Sequence, residues 1–96
     1  MKYYQSGRRL LRNDIAEYVQ INTATKEYYF LKISDITGVL EASRGTYEEV
    51  VNYSGKVTSL TCHPVPVDSG IHRINIAIET MTAIDQKTFL LAAGVI

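Results

Sequence analysis

The chain is short of almost everything that would mark an enzyme, a secreted scaffold or a membrane protein. It has one cysteine, two prolines and no tryptophan in 96 residues. A single thiol, Cys62, makes no internal disulfide, and no apolar stretch follows a basic start as a secretory signal requires, so the sequence reads as cytoplasmic. No apolar run approaches the roughly 20 residues that span a bilayer; the longest candidate is 89–96. Net charge is also missing, because ten basic and ten acidic side chains cancel. A molecule without a net field has no non-specific hold on nucleic acid or anionic lipid, so any anion has to be caught locally. What is present is a globular composition, 46% hydrophobic and 21% charged, in a length that allows one domain and excludes a two-lobed enzyme.

The charge is unevenly placed. Lys2, Arg8, Arg9 and Arg12 all precede the first acid, Asp14, leaving six bases against ten acids in the remainder. Residues 1–13 therefore read as a basic arm, with Met1 to Gly7 at its free end, and 14–96 as the folded domain. Within 14–96 apolar residues alternate with period two, and turn residues recur about every ten positions, the pattern of a small antiparallel barrel or sandwich. Ile15, Val19 and Ile21 share one parity. After Asn22-Thr23-Ala24-Thr25, Tyr29, Leu31 and Ile33 share another, which predicts a hairpin. A third strand is expected over 36–42, with the chain reversing at Ser43-Arg44-Gly45 on a glycine of positive φ.

Thr46 to Tyr53 reads as a strand bounded by Ser54-Gly55, with a helix opened by the Thr46-x-x-Glu49 capping box as the alternative. Lys56 to His63 is a further strand, ended by Pro64-Val65-Pro66. Ile71 to Thr82 carries the clearest alternation, with Ile74, Ile76 and Ile78 on one side. The end, Ala83 to Ile96, is expected as a short helix with Asp85 and Gln86 in its first turn, a strand being the alternative. The expected fold is thus mainly β, a small antiparallel sandwich or barrel with a short C-terminal helix.

Arg8 and Arg12 stand four apart directly before the first expected strand. Paired guanidiniums fork onto phosphate or the O6/N7 edge of guanine and stack on purines. Further along come Ser34-Asp35-Ile36-Thr37-Gly38-Val39-Leu40, Gly55-Lys56-Val57 and Gly70-x-x-Arg73-Ile74-Asn75-Ile76. In this order, over nearly the whole chain, these segments resemble the PilZ domain family, small six-stranded barrels with a C-terminal helix. Many members bind cyclic di-GMP through RxxxR and [DN]xSxxG motifs.

The resemblance implies that Arg8, Arg9 and Arg12 grip phosphate and guanine. It also implies that Asp35 faces a guanine edge, with Thr37 as the hydroxyl residue and Gly38 beside it. It implies a signal passed to a protein partner, no catalysis and no cofactor beyond the messenger itself, in a monomer or small homo-oligomer. The second motif is degenerate: its glycine would fall at position 40, which is Leu40. A PilZ-fold adaptor without ligand, as in pilus or motility assembly, is the main alternative, and a small nucleic-acid-binding barrel a further one. Cys62-His63 would be a nucleophile and base only if strand neighbours faced the same way, which they do not. His63 and His72 lack metal-site spacing. The seven tyrosines are explained by packing before base stacking.

Overall fold

A computed structural model describes residues 1–9, 14–34, 37–65 and 74–94, and of 7–9 and 14 the backbone alone. Seven strands, β1 (Lys2–Arg9), β2 (Asp14–Asn22), β3 (Glu27–Ser34), β4 (Gly38–Val51), β5 (Val57–Pro64), β6 (Ile74–Ile76) and β7 (Thr82–Ile84), precede one helix, α1 (Gln86–Ala92). They form a single sheet of order β6-β5-β4-β3-β2-β1-β7 in which every neighbouring pair is antiparallel.

Two features depart from the expected six-stranded barrel. The strands number seven among the described residues, and the sheet is open, with β6 and β7 at its edges. It is nonetheless far from flat. Laid flat, β6 and β7 would be about 29 Å apart, six spacings of about 4.8 Å. The chain from Ile76 to Thr82 reaches at most about 21 Å when fully extended, and part of it is wound into a 3-10 turn at Ile78–Thr80. The sheet therefore curls until its edges approach.

The curl makes the core. Val19, Ile21, Tyr28, Phe30, Tyr47, Leu60, Cys62, Ile76 and Ile78, drawn from β2 to β6 and the 3-10 turn, form one buried cluster on the concave side. A second, smaller cluster of Tyr3, Leu31 and Phe89 lies on the convex side under α1. Tyr3 and Phe89 place their ring centroids 5.2 Å apart. β3 is consequently buried on both faces. The predicted apolar parity of Tyr29, Leu31 and Ile33 is the face toward α1, while Tyr28 and Phe30 on the other parity enter the main core.

The segment expected as an arm is, over Lys2–Arg9, a full strand paired with β2 along its whole length and with β7 at Tyr3–Gln5. Its alternation is hidden because its residues are mostly polar or tyrosine. The predicted hairpin is present. Asn22 Oδ1 accepts from the amides of Ala24 at 3.0 Å and Thr25 at 3.2 Å, and Lys26 closes the turn at φ 59°. Lys26 is tied to β4, its carbonyl accepting from the Tyr47 amide at 2.9 Å and its Nζ lying 2.6 Å from Glu49 Oε1.

The predicted reversal at Ser43-Arg44-Gly45 does not occur. β4 runs straight through it, so the strands expected over 36–42 and 46–53 are one 14-residue element. Glycine at 45 answers a different need. A Cβ there would lie 2.0 Å from the carbonyl oxygen of His63 on β5, so a side chain is excluded by backbone approach rather than by φ. The true reversal is at 52–56. Asn52 Oδ1 accepts from the Ser54 and Lys56 amides, both at 3.0 Å, and Gly55 takes φ 87°.

The long strand expected over Ile71–Thr82 is, in the described residues, only Ile74–Ile76. Ala77 leaves the strand at ψ 75° and the 3-10 turn brings Ile78 into the core, with Thr80 Oγ1 donating to the Ala77 carbonyl at 2.8 Å. The C-terminal helix is present with Asp85 as its N-cap, accepting from the Thr88 amide at 2.8 Å. Ala83, expected at its start, belongs with Thr82 to β7.

Gly45→Ala is expected to lower the free energy of unfolding in urea by about 3 kcal/mol, since neither backbone can withdraw without breaking the β4–β5 ladder. Gly55→Ala, which meets no atom within 4 Å, costs about 1 kcal/mol for its left-handed φ alone. Equal losses for the two substitutions would refute the close-approach explanation.

Candidate ligand site at the β1–β2 and β3–β4 ends

Of the residues singled out in the sequence, Arg8, Arg9, Thr37 and Gly38 have their backbones at one end of the sheet. Arg8 is opposite Ile15, Ile15 is opposite Ser34, and Ser34 is opposite Gly38. This single crosswise row joins the end of β1 to the start of β4 across three interstrand spacings, about 14 Å. Arg9 lies one step beyond the row, opposite Asp14. Side chains of Arg8 and Arg9, and all of Arg12, Asp35 and His72, lie outside the described residues.

Thr37 and Gly38 are exposed at the β3–β4 turn, where Gly38 has φ 79°. The turn is anchored by Ser34, 3% exposed, whose Oγ accepts from the Thr37 amide at 3.5 Å. Ser34 is a residue the motif reading passed over. Its signal was the Ser34-x-x-Thr37 spacing, in which a serine hydroxyl bonds a backbone amide three residues on.

Leu40, standing where the family motif has glycine, is the extra residue of a β-bulge. Glu41 is opposite Lys32 and Val39 opposite Ile33, so Leu40 has no partner residue in the ladder. A bulge re-aims the side chains around it. Here Val39 and Leu40 are both turned to solvent, 57% and 49% exposed. Leu40 thus does not plug a cavity in the sheet; it adds apolar surface beside the turn.

The concave face changes character toward this end. Behind the apolar rows holding Val19, Ile21, Tyr28 and Phe30 comes the row Ser6, Glu17, Lys32 and Glu41, then the row of Arg8 to Gly38. The row Ser6, Glu17, Lys32 and Glu41 is polar and charged, whereas the row beyond it sets Ile15 beside the buried Ser34.

Cys62 is fully buried, and burial pushes its thiol up to about 12. His63 points to the opposite face, its Nε2 3.5 Å from Glu48 Oε2. Among the described residues no three of His, Cys, Asp and Glu group as a metal site, and no helix is long and apolar enough to cross a membrane. Tyr3, Tyr28 and Tyr47 are buried; Tyr28 Oη lies 2.6 Å from Ser43 Oγ. Desolvation, the largest influence on Tyr28 and Tyr47, raises the pKa of both. Comparison with family models, curated proteins and solved structures finds no match to this chain.

Cys62 gives a prediction for reactivity and for pH. In the folded protein a thiol reagent at pH 8 should label it only as fast as the molecule unfolds; rapid labelling without denaturant would contradict the burial. Folding holds the proton on sulfur where the unfolded chain releases it near pH 9, so this stabilisation is complete below about pH 9 and lost as pH rises toward 12. Denaturation measured between pH 9 and 10 should therefore show stability falling, and falling less steeply in Cys62→Ala.

Proposed function

We propose that this domain binds cyclic di-GMP at the Arg8–Gly38 end of the sheet and passes the signal to a protein partner, as the resemblance to PilZ domains implies. The observation that carries the reading is the crosswise row Arg8, Ile15, Ser34, Gly38, which joins two motifs more than twenty residues apart in sequence. In this reading Arg8, Arg9 and Arg12 hold phosphate and guanine through bidentate, charge-assisted bonds. Asp35 meets a guanine edge, and Thr37 with the bare backbone of Gly38 lets the ligand approach the turn. No covalent step is involved.

Pairing of Lys2–Arg9 in the ladder changes the energetics expected of a free arm. Ordering a residue costs about 1 to 2 kcal/mol, and the backbone of Arg8 and Arg9 is already held by β2. Ligand binding then carries no cost for extending this segment, which leaves more of the phosphate interaction as net affinity.

The exposed Val39–Leu40 bulge favours a second reading, a ligand-free adaptor that uses this apolar surface for its partner. Titration calorimetry separates the two. Cyclic di-GMP should release heat with saturable binding, and Arg12→Ala should remove it. No heat at high micromolar ligand turns the assignment to the adaptor, and unchanged affinity in Arg12→Ala takes the arginines out of the site.

A further inference from the structure

We infer that the seam where the curled sheet fails to close is a binding site for a primary ammonium group. β7 covers the outer edge of β1 only at Tyr3–Gln5, so Ser6–Arg9 has no further strand partner among the described residues. β6 is the opposite edge of the sheet. Between them lies a cavity of about 130 Å³ lined by Ser6, Glu17, Asn75, Ile76, Ala77, Thr80 and Met81. Its volume corresponds to about four water molecules, room for an ammonium head and a short methylene stem.

The chemistry of the lining selects that group. Glu17 is only partly exposed and, among the described residues, has no ion pair, although Lys32 lies opposite it on β3. Ser6 is its neighbour across the β1–β2 ladder. An ammonium carries three N–H donors and no acceptor. It can be met by the Glu17 carboxylate, the Ser6 hydroxyl and oxygen from Asn75 or from the outer edge of β6, which has no strand partner among the described residues. Ile76, Ala77 and Met81 supply apolar surface against which the methylene stem behind the ammonium packs. A divalent metal fits poorly, because one carboxylate falls short of the oxygen set such an ion takes. The site adjoins the proposed cyclic di-GMP end, Ser6 and Glu17 lying in the row beside Arg8 and Ile15, but it is argued from its own lining and does not rest on that reading.

The chemistry is shared by a free alkylamine and by a lysine side chain of a protein partner. Backbone amide signals followed by NMR during titration with butylammonium, with Nα-acetyl-lysine methylamide and with butanol distinguish them. Saturable shifts at Ser6, Ile76 and Ala77 are expected with both amines and not with butanol. Tighter binding of the lysine derivative assigns the site to a partner's lysine, equal binding to free amines, and each supports the site. Glu17→Gln should weaken binding about tenfold or more. Should that variant fail to fold, Ser6→Ala should weaken binding severalfold. Absence of saturable shifts, equal shifts with butanol, or unchanged affinity in the folded variant overturns the inference.

Discussion

The molecule depends on a length constraint: the chain crosses from one edge of its sheet to the other between Ile76 and Thr82, with five strands lying between. So short a crossing is impossible over a flat sheet. The sheet must curl, and the curl provides the main core, since among the described residues no second layer covers the concave face. Val19 and Cys62, fully buried on strands β2 and β5, are excluded from water by other strands of the same sheet. The crossing also sets where the structure is incomplete. With β7 taking up one half of the outer edge of β1, the other half faces β6 across a seam that no described strand fills.

The same curvature organises polarity. Apolar rows through Val19, Ile21, Tyr28 and Phe30 are followed by the polar and charged row Ser6, Glu17, Lys32 and Glu41. Strand register places the end of β1 and the exposed Gly38 turn at the same end of the sheet. β1 carries the basic residues into the ladder, and register carries their positions to the β3–β4 turn. Gly38 and Gly45 serve this arrangement differently, one by its left-handed φ at the turn and one by admitting β5 against β4.

Much of the fold was legible. Period-two alternation announced an antiparallel β protein, Asn22 and Gly55 marked real turns, and a short C-terminal helix was expected, with Asp85 in its first turn where the structure makes it the N-cap. Illegible were the features decided by neighbours. The Ser43-Arg44-Gly45 string has the composition of a turn, yet Gly45 sits within a continuous strand because the His63 carbonyl comes too close for a Cβ. β1 was unreadable as a strand because its apolar residues are few. At the candidate site the arginines and the Thr37-Gly38 turn were visible as motifs, whereas Ser34 as their anchor and Leu40 as a bulge residue were not.

Local choices were written in the residues themselves: which segments extend, where asparagine and glycine turn the chain, and where an aspartate caps a helix. These are interactions of a residue with its own backbone within a few positions, so residue order is enough to read them. Strand order, the depth of the curl, the burial of both faces of β3 and the alignment of the end of β1 with the β3–β4 turn were settled only by the assembled sheet. Those depend on distances between segments remote in the chain. They are fixed only when every ladder and the short crossing from Ile76 to Thr82 are satisfied together.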